Sequence, residues 1–416
     1  MKAAGASGVV GLTGLAGCIG GGGGGGPITF GSIHLLSGFA SVYGESAKLG
    51  YQMAKEEIND DGGIDGREIG DIIYRDSEAS PDTAVQHARN LVESEGVDLM
   101  IGLDSSGVAL QVSPIMEQLQ KPFMITHAAT PFVTNMGDGD RAKGNKYVFR
   151  DGVNLAQNLY GAAKTAQKTN ATSWTTIGPN YAFGTQTWEY FKAYTQAMDL
   201  GYEYMENATA YPSLGASDYT AHINKVIDAE PDGVVTSLWG GDLITFLKQA
   251  KNTDFFNVVD ELLMTVGAAT DVLRPMGADM PTNLWAGTRY WFLSPDSDAN
   301  NTFRKNFLEA NPGRPPSYNA QNAYTGLYLY KQAIESAGST EPDAVIDALE
   351  GLEMSAPVGD LRINPDSHQA ELPAVWGKTA HSDEWDVAVL DPVERIPAPA
   401  GTLRDLLSGS GWPAGV

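Results

Sequence analysis

From Ile28 onward the chain alternates short apolar runs with amphipathic stretches of helical period. Segments 28–35, 71–75, 97–103 and 123–126 read as strands, each a short run dominated by branched and aromatic side chains. The stretches between them read as helices. Leu49, Met53 and Ile58 share one stripe of 45–59, with Ala47, Tyr51 and Ala54 beside them, and Asn59-Asp60-Asp61-Gly62-Gly63 supplies the stop. Val85, Ala88, Leu91 and Val92 do the same in 82–95, and 108–119 continues the series. Strand, helix and strand in succession imply parallel pairing, because the helix carries the chain back to the starting edge.

After a loop over 130–146 and the group Tyr147-Val148-Phe149-Arg150, a second series begins. Its strands fall at 173–177, 202–210, 233–237 and 262–266, and its helices at 185–198, 218–229 and 242–251. The pattern predicts an α/β protein of two Rossmann-like lobes in succession. Helices at 319–337 and 342–351 and strand-like pieces at 360–363, 374–376 and 385–389 are too few for a third lobe. They are expected to pack onto the first two.

Open parallel sheets bind ligands beyond the carboxyl ends of their strands, where helix N-termini favour anions. In the first lobe those exits carry Ser37 and Tyr43, then Ser105 and Ser106 at a helix start, then 126–130 with Ala128 and Thr130. Small hydroxyls and free amides there suit a carboxylate; for Ser105 and Ser106 the alternative is a plain helix cap. In the second lobe the exits carry Tyr181 and Phe183 before Gly184, and Trp239 before Gly240-Gly241-Asp242. Aromatics beside glycines can close over a small ligand. Asp242 either pairs with an ammonium or caps its helix.

Composition narrows the choices. Hydrophobic residues make up 42% of the 416 and charged residues 19%, enough apolar material for full cores. Lys and Arg number 27 against 51 Asp and Glu, a net charge of −24, so no nucleic acid is expected as a partner. An acidic excess spread along the whole chain suits solubility in concentrated salt, where screening acts within about 3 Å, and it points to a halophile.

The one cysteine excludes an intramolecular disulfide, a thiolate zinc site and an iron–sulfur cluster. It ends Leu15-Ala16-Gly17-Cys18, after a weakly apolar stretch and before the glycine tract 20–26. That is the layout of a lipoprotein export signal, with Cys18 lipidated and the glycines a tether. The expectation is a protein anchored to the outer face of the membrane, since no later run approaches the roughly 20 apolar residues of a span.

Signatures of catalysis and cofactors are missing. No Gly-x-x-x-x-Gly-Lys-Ser/Thr, no Gly-x-Gly-x-x-Gly after the first strand, no His-Glu-x-x-His and no Gly-x-Ser-x-Gly occurs, and the six histidines are scattered singly. Neither an enzyme nor a cofactor nor a metal is expected. Asn-x-Thr triplets at Asn170, Asn207 and Asn300 are candidate glycan acceptors.

Leu36-Ser37-Gly38 through Tyr43-Gly44-Glu45, Glu57-Ile58-Asn59 through Gly62-Gly63-Ile64-Asp65-Gly66-Arg67, and Tyr74-Arg75-Asp76 closely resemble the first lobe of the branched-chain amino-acid (Leu/Ile/Val) binding proteins of ABC importers. Ile101-Gly102 with Ser105-Ser106, Pro122 to Thr130, Tyr181 to Gly184, and Trp239-Gly240-Gly241-Asp242 through Leu247-Lys248-Gln249-Ala250 follow in that family's order, so the resemblance spans roughly 28–390. It implies a type I periplasmic-binding-protein fold, two lobes joined by three crossovers. Lobe one would be 28–149 plus 291–373, lobe two 150–290 plus 374–410, and 1–27 the signal and tether. The resemblance assigns an α-carboxylate to Ser105, Ser106 and Thr130, and an ammonium in part to the carbonyl of Ala128. The implied partners are a small-molecule ligand, ABC permease and ATPase subunits, and the membrane through the lipid anchor. Two departures weaken the amino-acid expectation. Phe183 stands where amino-acid binders carry Tyr, and Gly267-Ala268-Ala269 replaces their acidic ammonium partner, which leaves Asp242. An amide, a urea-like compound or a plain carboxylate therefore stays open as the ligand, as does a ligand-sensing ectodomain as the function.

Overall fold

A parallel sheet forms from β1 (Ile28–His34), β2 (Ile69–Asp76), β3 (Leu99–Gly102), β4 (Phe123–Ile125) and β5 (Val148–Arg150), in the order β2-β1-β3-β4-β5. The structure, a computed structural model, describes residues 25–416; Cys18 and residues 20–24 of the glycine tract lie outside the described residues. Phe30 and Ile33 of β1 and every residue of β3 to β5 are buried, as expected for strands covered on both faces. A second sheet starts with β6 (Ser173–Ile177), β7 (Glu203–Tyr204), β8 (Gly233–Thr236), β9 (Glu261–Met264) and β10 (Trp285–Thr288), all parallel. The chain then forms a small antiparallel meander of β11 (Glu353–Ala356), β12 (Gly359–Ile363) and β13 (Ala370–Glu371). Finally β14 (Ala374–Ala380) and β15 (Val389–Ile396) join the second sheet antiparallel, giving β15-β14-β10-β9-β8-β6-β7.

The helices are α1 (Ser41–Asp60), α2 (Pro81–Arg89), α3 (Ser106–Leu119), α4 (Leu155–Ala166), α5 (Ala182–Ala197), α6 (Thr220–Ala229), α7 (Gly240–Ala250), α8 (Phe255–Val258), α9 (Thr270–Met276), α10 (Asp298–Ala310), α11 (Tyr318–Ala337), α12 (Pro342–Leu349) and α13 (Ala400–Leu407). Local chemistry sets several starts. Ser80 accepts from the Thr83 N–H ahead of Pro81, and Asn154 and Gln157 form a reciprocal capping box on α4. Helices α1 and α11 touch where Gly50 meets the Ala320 carbonyl; a Cβ at Gly50 would stand 2.0 Å from that oxygen. The chain passes between the two lobes three times, after β5, after β10 and between β13 and β14.

Several elements differ from the sequence reading. The strand expected at 202–210 is broken: it pairs at Glu203–Tyr204, turns through a 3₁₀ segment at Glu206–Ala208, and returns to β6 as a single bridge between Ala210 and Ile177. The last strand runs over Val389–Ile396, with Trp385 in the loop before it, rather than over 385–389. The sequence reading gives no helix at α4, whose buried face sets Leu155 and Leu159 among Ala156, Gly161, Ala162, Ala163 and Ala166. Helices α9 and α10 and strand β10 were not anticipated either. Asn300 is fully buried, its amide donating to the Phe292 and Pro295 carbonyls, so that triplet cannot accept a glycan; Asn170 and Asn207 are exposed.

Candidate functional site

Strand exits of both sheets converge on one tight cavity of about 10 Å³ lined by Tyr43, Asp104, Ser106, His127, Tyr181, Phe183, Trp239, Arg289 and Tyr318, with Ala129 and Val266. That is room for about one water molecule, so the lobes stand close together around it. A larger depression of about 410 Å³ beside Thr134 and Trp412 lies away from these exits. Aromatic rings form most of the wall. Trp239 packs against Phe39 and Tyr43 with centroids 5.0 and 5.3 Å apart, and Tyr43 meets Tyr318 edge-on at 5.8 Å. The Gly240 N–H donates to the Tyr43 hydroxyl across the lobes at 3.3 Å, and Gly241 lets this helix start approach; a Cβ there would lie 2.5 Å from the Phe39 carbonyl oxygen.

Arg289, the first residue after β10, is the cation of the cavity. It is 95% buried at 5% relative exposure, its Nη1 donates to the His127 carbonyl, and its guanidinium lies 4.9 Å from the Tyr318 ring centroid. Among the described residues it forms no ion pair with a carboxylate, and its Nε has no hydrogen-bond partner. The Trp239 Nε1 is a second buried donor with no partner. Two unmatched buried N–H donors lining one cavity call for an acceptor, since a buried unpaired donor costs about 1–3 kcal/mol.

Opposite signs are also present. Asp104 accepts from the Leu35 N–H at 2.6 Å and pairs with His34 at 3.1 Å. Burial alone would raise its carboxyl, but the His34 charge and hydrogen bond, with that of Leu35, hold it below the usual range. His127 is pushed down to about 3, first by burial and then by the His34 and Arg289 charges, against the pull of Asp104. Its Nε2 contacts the Asn319 carbonyl at 3.1 Å, which accepts only, so Nε2 carries the proton and Nδ1 accepts from Thr126. His34, Asp104 and His127 offer ligand atoms within 4.8 Å of one another, a cluster that scattered histidines in the sequence did not foretell. Each ring nitrogen is already matched, His34 to Asp104 and Tyr51, His127 to Thr126 and Asn319, so a metal would have to displace existing bonds.

Of the residues expected from sequence, Tyr43, Ser106, Tyr181, Phe183 and Trp239 line the cavity. Ser105 caps the same helix start as Ser106 by position but makes no side-chain cap bond. The other four stand apart. Ser37 is solvent-exposed. Ala128 is buried and its N–H serves the Leu103 carbonyl, while Thr130 is buried with its carbonyl taken by Arg150. Asp242 neither lines the cavity nor caps α7; it accepts from the Gly215 N–H at 3.0 Å and so pins the loop before α6, and burial raises its carboxyl. Asp104 and His127 belong to the strand exits that the sequence marks but carry no role of their own there, and Arg289 and Tyr318 lie outside those exits. Arg289 had a local signal, a lone arginine directly after an apolar Trp-Ala-Gly-Thr strand.

A model of the family described as periplasmic binding protein matches residues 27–379. The chain belongs to that family. Among curated relatives, the Leu/Ile/Val-binding protein homolog 4 of Brucella melitensis is 24% identical over 365 residues, 84% of this chain and 83% of the relative. Homolog 6 of Brucella abortus is 25% identical over 363 residues, 86% and 88% of the two chains. Among solved structures, an amino acid ABC transporter substrate-binding protein from Pseudomonas fluorescens superposes with a TM-score of 0.77 at 23% identity, covering 93% of this chain and 99% of the other. An R. palustris ABC transporter solute-binding protein in complex with 4-hydroxybenzoate gives 0.79 at 21% identity, covering 90% and 99%. These likenesses establish the type I periplasmic-binding-protein fold that the strand order displays.

Proposed function

We propose that this periplasmic binding protein captures a small aromatic carboxylate between its lobes and delivers it, chemically unchanged, to the permease of an ABC importer. The observation that carries this reading is Arg289, a buried guanidinium without a carboxylate partner, in a cavity also lined by aromatic rings and by Trp239 with its unmatched Nε1. A ligand carboxylate supplies the acceptor both donors lack, and once the lobes part to admit it the rings of Tyr43, Tyr181, Phe183 and Tyr318 flank an aromatic body. The benzoates held by several structural neighbours agree with this choice. Each lobe contributes part of the wall, so the ligand favours the closed form by its differential affinity for it.

A branched-chain amino acid is the second reading. It is favoured by Asp104, a lining carboxylate that could receive an ammonium, and by the names of the curated relatives. Calorimetry and thermal shift with 4-hydroxybenzoate, benzoate and leucine separate the two. The aromatic acids should bind and raise the melting temperature, as mass action requires of a true ligand. Binding of leucine alone would replace the first reading by the second, and release of a chemically altered compound would end both. Leu15-Ala16-Gly17-Cys18 supports a lipid anchor on the outer membrane face, and the net charge of −24 supports operation in concentrated salt.

A further inference from the structure

Asp271 lies in α9, in the lobe of the second sheet, and is 2% exposed. The donors to its carboxylate all come from the other lobe. The Ser46 hydroxyl of α1 donates to Oδ1 at 2.6 Å and the Asn319 amide of α11 donates to Oδ2 at 2.8 Å. Arg314 reaches the Ser46 oxygen at 2.6 Å and stands 3.7 Å from Oδ1. Next to it, the Thr270 hydroxyl crosses to the Pro315 carbonyl at 3.1 Å. Separation of the lobes would break all of these at once and return the carboxylate to water.

We propose that Asp271 is the positioning residue that holds the two lobes closed around the cavity. It does not line the cavity, so it acts on affinity through the closed state rather than by touching the ligand. The arrangement suits reversible closing. A buried carboxylate is expensive unless every lone pair is met, so the clasp forms only when both lobes arrive in register. The same chain of contacts reaches the ligand anchor. Asn319 holds Asp271 with its side chain, its carbonyl takes His127 Nε2, and the His127 carbonyl takes Arg289. Because these groups are buried, molar salt screens them far less than the acidic surface.

The clasp is tested without a ligand, by small-angle X-ray scattering of the full chain as wild type, Asp271→Asn and Arg314→Gln. Arg314 is partly exposed, so its variant is the milder lesion and keeps the comparison available should Asp271→Asn fail to fold. Both variants should give a larger radius of gyration than wild type with unchanged far-ultraviolet circular dichroism. Superimposable scattering curves would overturn the proposal. In stopped flow with 4-hydroxybenzoate, a probe that rests on the reading of Arg289, Asp271→Asn should dissociate about tenfold faster or more while association stays within about threefold. Unchanged dissociation would also overturn it. If that probe binds none of the proteins, the scattering decides the clasp by itself, and only the ligand assignment falls.

Discussion

At Arg289 the decisive property is a buried charge that makes no direct ion pair among the described residues. Salt bridges elsewhere satisfy their guanidinium groups, as Arg75 does with Glu95, whereas Arg289 has only a carbonyl and a ring face. Losing a hydrogen bond to a charged group costs about 1.5–3 kcal/mol, so Arg289→Met should weaken 4-hydroxybenzoate binding roughly 10–100-fold. Isothermal titration checks this, and an unchanged Kd would remove Arg289 from the site. His127 makes a second prediction at this scale. An unfolded histidine takes up its proton near 6.5, but in the fold His127 resists until about 3. The unfolded chain therefore binds the extra proton through that window, and stability that is intact above about 6.5 is lost as the pH falls towards 3. His127→Asn should lower the melting temperature at pH 7 yet flatten its decline between about pH 6.5 and 4, as read by thermal melts across pH. Asp151, buried with both carboxylate oxygens unpartnered at the first crossover, has its carboxyl raised by burial and works in the opposite sense. It binds a proton in the fold that the unfolded chain releases, so it costs stability as the pH rises above the ordinary carboxylate range.

Elements meet at glycines where the backbone must come close. Gly50 of α1 faces the Ala320 carbonyl, and adding a methyl forces α1 and α11 apart. Gly50→Ala should destabilise the protein by about 1–3 kcal/mol in urea denaturation, the usual cost of overpacking. Gly241 plays a different part, because its neighbour Phe39 belongs to the opposite lobe. Gly241→Ala should leave each lobe intact and obstruct their closure. The expected result is weaker binding with a ligand-free melting temperature close to wild type; a loss of both in step would mean that Gly241 serves the fold alone. Helix starts also decided which strand-exit residues face the ligand. Ser106 is the first residue of α3 and lines the cavity, whereas Thr130 begins a 3₁₀ turn and points its carbonyl at Arg150.

For the whole molecule, charge and closure set the behaviour. With a net charge of −24 at neutral pH the folded surface repels itself, and the melting temperature should rise steadily from about 0.1 M to molar sodium chloride. A melting temperature insensitive to salt would remove the argument for a halophile. How far all this was legible beforehand differs by the range of the interaction. Period and turn chemistry, which act over a few neighbouring residues, placed most strands and helices, the two-lobed α/β architecture, and the strand exits where Tyr43, Ser106, Tyr181, Phe183 and Trp239 line the cavity. Tertiary structure alone joined Arg289 to a carbonyl 162 residues away, Asp271 to Ser46 across 225 residues, and His34 to His127 over Asp104. A side chain's local pattern says whether it is buried, but what it meets there depends on how two separate sheets close, and no periodicity in one dimension records that.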